Sequence, residues 1–128
     1  PLDDSYGEFP RFDERLTGQP YRHGWFAGKP RREGQGTMST LSHIDLKTGR
    51  RTDYSPGGAD AVSEPIFVPR SPDAAEGDGW VTAVIWRAAD NRSDLAVFDA
   101  QAMDKGPIAL AHVPRRVPFG FHGNWVGR

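Results

Sequence analysis

Short apolar stretches bounded by glycine and proline recur from one end of the chain to the other, and no segment sustains a helical stripe. That punctuation restricts the chain to many short strands with tight connections, because Pro and Gly break helix interiors and supply turns. The 15 Gly and 11 Pro among 128 residues stand well above the average share of about 12% and show no low-complexity repetition. Strands are expected at Tyr21–Ala27, Thr37–Asp45, Arg51–Tyr54, Pro65–Pro69, Trp80–Arg87, Asp94–Asp99, Ile108–Val113 and Phe119–Val126. The run "WVTAVIW" from Trp80 is β-rich and nearly all apolar, which places it at the centre of a sheet. Lys47-Thr48-Gly49 reads as a hairpin turn in which Gly49 supplies a positive φ, and Ala88–Ser93 as a longer hairpin loop. Gly28–Gly36 and Ser71–Gly79 read as polar connectors. About eight antiparallel strands fit a sandwich, a barrel or two four-stranded propeller blades, and strand number alone does not choose.

Charge and composition exclude several roles. Lys and Arg total 16 against 17 Asp and Glu, so no net field favours nucleic acid or an anionic membrane. No apolar run approaches the roughly 20 residues that span a bilayer, and no basic-then-apolar leader opens the chain. Cysteine is absent, which removes disulfides, thiolate metal sites and a Cys nucleophile. A cytoplasmic location is the expectation. The chain starts at Pro1 without an initiator Met and is read as a piece of a longer protein. No Gly-rich phosphate loop, Ser/His/Asp motif or zinc spacing is present.

The candidate chemistry gathers around "VPFGFHGNW", residues 117–125. On an extended backbone Phe119, Phe121 and Trp125 share one face, while Gly120, His122 and Asn124 share the other. His122 then stands between small neighbours. It is either a core histidine bonded to a carbonyl or a metal ligand. Two glutamates sit in apolar company: Glu64 in "SEPIFVPR" and Glu8 in "YGEFPRF". A carboxylate so placed needs a strong donor, and a metal-bound histidine needs a carboxylate on its second nitrogen. His23, His43 and His112 read as structural or surface residues, His43 at a hairpin edge. Arg115-Arg116 reads as structural or surface, and the four tryptophans as sheet-packing residues.

Three segments taken together, "YGEFPRFDERLTGQPYRHGW", "SEPIFVPRSPDAAEGDGWVTAVIW" and "VPRRVPFGFHGNW", resemble the closing motifs of the carotenoid oxygenase family. That family includes apocarotenoid and lignostilbene dioxygenases and retinal isomerase relatives. The resemblance covers essentially the whole chain, in matching order. It implies an all-β fold, in which residues 1–128 form the C-terminal part, about two blades, of one seven-bladed propeller domain. It also implies a ferrous iron, Fe(2+), held on the propeller axis by four histidines from different blades. His122 falls on the last of these ligands. Glu8 and Glu64 fall on glutamates that accept hydrogen bonds from ligand histidines without touching the metal. The other three histidines would lie outside this chain.

The activity implied is a dioxygenase that cleaves a conjugated C=C bond of a carotenoid or apocarotenoid into two carbonyl products. The partners implied are O2 and an apolar polyene or stilbene, with peripheral membrane contact suggested by an oily substrate. A stilbene-cleaving enzyme of the same family is the alternative within this class, and a metal-free β-sheet interaction domain is the alternative outside it. One histidine of four cannot hold iron against solvent, so the 128-residue piece alone is expected to be inactive.

Overall fold

The computed structural model describes residues 6–29 and 37–127. Its first sheet contains β1 (Tyr6–Phe12), β2 (His23–Lys29), β3 (Thr40–Asp45) and β4 (Arg50–Tyr54), in that spatial order and all antiparallel. The second is built on β7 (Gly79–Arg87), which pairs β8 (Arg92–Asp99) along one edge. Its other edge takes both β5 (Ala61–Val62) and β6 (Ile66–Pro69), while β9 (Ala109–Val113) pairs the far side of β8.

The apolar run predicted as central is central. Along β7, Val81, Ala83 and Ile85 are buried and the residues between them are half-buried, the period-2 pattern of a strand with one core face. That face joins Phe98 of β8, Phe67 of β6, and Trp25 and Leu41 of the first sheet in a single core. The Trp25 ring lies flat on Phe67, with centroids 4.8 Å apart, and its indole N–H donates to the Ala100 carbonyl at 2.7 Å. Packing and a satisfied indole donor thus tie the two sheets together. Gly49 closes the β3–β4 turn at φ 71°, as expected. Gly79 allows a close backbone approach: a Cβ there would sit 2.2 Å from the Val68 carbonyl oxygen.

Three expectations need correction. Phe119–Val126 is not a strand; it is irregular, and Phe119, Phe121, Trp125 and Val126 are exposed. A strand needs a neighbouring ladder, and the described residues give this segment none. Its two-face argument therefore fails. The segment is instead held to the second sheet by point contacts. Val117 N–H donates to Ser93 Oγ at 2.9 Å, Phe119 meets Trp86 edge-on, and Arg116 lies over both rings.

Second, β1 was not foreseen. Its "EFPR" holds a bulge in which Phe9 and Pro10 both oppose Phe26, with Phe9 at φ 55°. An internal Pro and a broken alternation hide such a strand from periodicity. Third, His43 is not at a hairpin edge but mid-strand in β3, paired on both sides and buried. The other predicted strands form with ends shifted by up to three residues, and the two-residue β5 was not predicted. Of the tryptophans only Trp25 is in the core; Trp80 lies under Arg70, and Trp125 is exposed. The Ser71–Gly79 connector forms with turns over Ser71–Asp78, while Gly79 already belongs to β7. Most of the Gly28–Gly36 connector lies outside the described residues, and Gly28 and Lys29 belong to β2.

Candidate metal-ligand site

Pro65 sets the geometry from which the site grows. It is fully buried and fixes an extended backbone between β5 and β6, the two strands that share one edge of β7. Glu64, just before it, is turned inward and is only 5% exposed. A carboxylate at that depth is costly unless donors surround it. Three do. His122 Nδ1 lies 3.1 Å from Glu64 Oε1, the Gly123 N–H donates to Oε2 at 2.8 Å, and Arg11 Nη1 donates to Oε1 at 3.4 Å. One carboxylate therefore grips both the imidazole and the peptide that follows it.

The ring itself is open, with a side-chain exposure of 73%. Phe9 touches it edge-on, with centroids 5.8 Å apart, so the β1 bulge delivers an aromatic wall to one side. An apolar cleft of about 490 Å³ runs from His122 and Glu64 along Val62, Val84 and Phe119. With Nδ1–H donated to Glu64, Nε2 keeps its lone pair, and among the described residues it has no hydrogen-bond partner. A neutral imidazole, oriented by a carboxylate on its other nitrogen, is the donor chemistry a divalent transition metal requires. The residues present fit one ligand of such a site. Among the described residues, no three His, Asp or Glu side chains gather around a common point.

Glu8 is exposed on β1 and accepts from Tyr6 Oη at 3.4 Å, whereas the carboxylate that His122 bonds is that of Glu64. The remaining histidines divide clearly. His23 and His43 are buried, with His23 Nδ1 3.0 Å from His43 Nε2, and both rings stack with Trp25. Burial, followed by the neighbouring His23, pushes the His43 pKa down to about 4; burial also lowers that of His23. His112 is on the surface and pairs with Asp94 at 2.7 Å. Burial opposes the Asp94 charge, but hydrogen bonds from His112 and Arg87 outweigh it and hold the carboxyl down at about 2. Arg11 and Phe9 are the parts of the His122 support that the sequence reading missed. The only available signal was their place next to Glu8 in "GEFPRF".

Among the described residues, the chain is thus a scaffold of two antiparallel sheets that presents one exposed, carboxylate-oriented imidazole on an irregular segment. The family described as "Retinal pigment epithelial membrane protein" matches residues 1–127, and the chain belongs to it, the carotenoid oxygenase family. It is 42% identical to lignostilbene-alpha,beta-dioxygenase isozyme III of Sphingomonas paucimobilis, over 93% of this chain and 26% of that protein. The crystal structure of Pseudomonas brassicacearum lignostilbene dioxygenase superposes with a TM-score of 0.91 at 38% identity, over 98% of this chain and 28% of that one. Cobalt-substituted Synechocystis apocarotenoid oxygenase superposes with a TM-score of 0.92 at 31% identity, over 99% and 26%. The chain thus spans about a quarter of the length of these relatives, and over that length it is a portion of their β-propeller.

Proposed function

We propose that the whole protein is a non-haem Fe(2+) dioxygenase that cleaves a conjugated C=C bond into two carbonyl products. In this reading His122 is one of its metal ligands, and residues 1–128 are the C-terminal part of a single propeller domain. The observation that carries the reading is the Glu64 carboxylate, buried and bonded at once to the His122 ring and to the Gly123 amide. The cobalt-substituted relative supports a metal, and the names of the relatives support oxygenase chemistry.

His122, with three histidines from outside this chain, would hold the iron, which would supply redox and Lewis-acid chemistry toward O2. This chain's own residues supply the setting. Glu64 accepts the hydrogen bond from Nδ1–H, which fixes the tautomer and raises the basicity of Nε2. The Gly123 amide keeps that carboxylate from rotating away. Phe9 and the apolar cleft keep bulk water from the buried carboxylate. Glu8 is assigned to a ligand histidine outside this chain, since none of the described histidines reaches it.

Two substrate classes fit such chemistry. The identities of 42% and 38% to lignostilbene dioxygenases, against 31% to the apocarotenoid oxygenase, favour a phenolic stilbene. This reverses the order expected from the sequence. The test is iron analysis of the full-length protein, with assays against a hydroxystilbene and an apocarotenoid. The expected results are stoichiometric iron, lost in His122→Ala and weakened in Glu64→Gln, with faster cleavage of the stilbene. Full iron content in His122→Ala would overturn the ligand assignment, and a full-length protein that binds no iron would leave a metal-free β-sheet domain.

A further inference from the structure

Arg11 follows the β1 bulge, where the extra residue re-aims its side chain toward the segment that carries His122. Its side chain is only 15% exposed. From there it reaches four acceptors on three separate stretches of chain. Nη1 donates to Glu64 Oε1 at 3.4 Å, and Nη2 donates to the Gly123 carbonyl at 3.2 Å and to Asn124 Oδ1. Glu14 Oε1 lies 2.6 Å from Nη2 and balances the charge.

We propose that Arg11 is a positioning residue for the His122 imidazole, fixing the angle at which the ring meets its metal. The inference rests on reading His122 as a ligand. Glu64 alone fixes the ring relative to the second sheet. Arg11 adds the first sheet, because it belongs to β1 and grips both the carboxylate and the backbone just after the ring. A planar guanidinium with five donors can hold these acceptors together, whereas an ammonium offers a point charge without the fork. Removing it leaves the Gly123 amide as the one hydrogen bond that holds the 123–124 backbone among the described residues, so the ring can pivot about Glu64.

The experiment uses the full-length protein with cobalt(II) as the probe, reading binding affinity and the visible absorption of bound cobalt, normalised per bound ion. Arg11→Gln is expected to weaken cobalt binding by about 10-fold or more and to shift the bands of what remains bound. Arg11→Lys is expected to shift them as well, since charge without the fork does not restore the angle. Asn124→Ala, which removes one acceptor, is expected to weaken binding only about 3-fold. This milder variant keeps the test open if Arg11→Gln fails to fold. A lowered unfolding midpoint with an unchanged cobalt spectrum and affinity would mean that Arg11 is only structural, and would overturn the proposal. So would full rescue by Arg11→Lys. If His122→Ala also leaves cobalt binding intact, the ligand reading fails; if His122→Ala abolishes it while Arg11→Gln does not disturb it, only the present inference fails.

Discussion

Two histidine arrangements sit at opposite ends of this molecule's chemistry. In the first sheet His23 and His43 are buried face to face, and each ring uses a nitrogen on the other. On the irregular segment beside the second sheet His122 is exposed, but its one bonded nitrogen meets a carboxylate that is buried. Burial of an imidazole does not make it a ligand; it suppresses the charged form and spends the nitrogens on packing. What readies an imidazole for a metal is a fixed partner on one nitrogen and an accessible lone pair on the other. The difference lies in the partner's depth, not in that of the ring.

The sharpest way to break this comparison is to exchange the losses. His122→Ala in the whole protein should reduce bound iron by more than the roughly 10–100-fold typical of losing a ligand's hydrogen-bond partner, with little effect on the unfolding midpoint. His43→Ala should do the reverse. Removing a buried ring stacked on Trp25 and orphaning His23 Nδ1 should cost about 2–4 kcal/mol by denaturant titration, with iron retained per folded molecule.

Acid sharpens the same contrast. The folded-state pKa of His43 is pushed down to about 4 and that of His23 is lowered, so the unfolded chain binds more protons between these values and about 6.5. Their contribution is full above pH 6.5 and is lost as pH falls toward 4. The expected loss is on the order of 2 kcal/mol, measured as a falling midpoint that flattens in a His23→Phe/His43→Phe double variant. Further loss below about pH 4 should come from Asp94 and from Asp45, which the Arg22 hydrogen bond holds well below the usual carboxylate range. The smallest effect is expected for Arg116→Ala. Losing its place over Trp86 and Phe119 should cost about 0.5–1 kcal/mol, seen as faster proteolysis at residues 117–121 without loss of iron.

Much of this was legible in the sequence because it depends on local pattern. The β7 run declares itself by β-branched and aromatic content, the β3–β4 turn by Gly49, and Glu64 by the cost of a carboxylate between apolar neighbours. What escaped depends on contacts distant in sequence. The 119–126 segment alternates like a strand, yet nothing among the described residues pairs with it. The β1 bulge is invisible to a period of two, and the Arg11 grip joins residues 112 and 113 positions apart. The His23–His43 bond was hidden for the same reason: it exists only through the register of β2 on β3.

The bond between Glu64 and His122 closes a loop of 58 residues, and that loop contains every strand of the second sheet after β5. Bringing such distant ends together carries an entropic penalty that the intervening sheet must first offset. The imidazole therefore reaches its working position only after that sheet has zipped up, so in the proposed reading metal capture would come late in the protein's maturation and would report that the surrounding architecture is already finished.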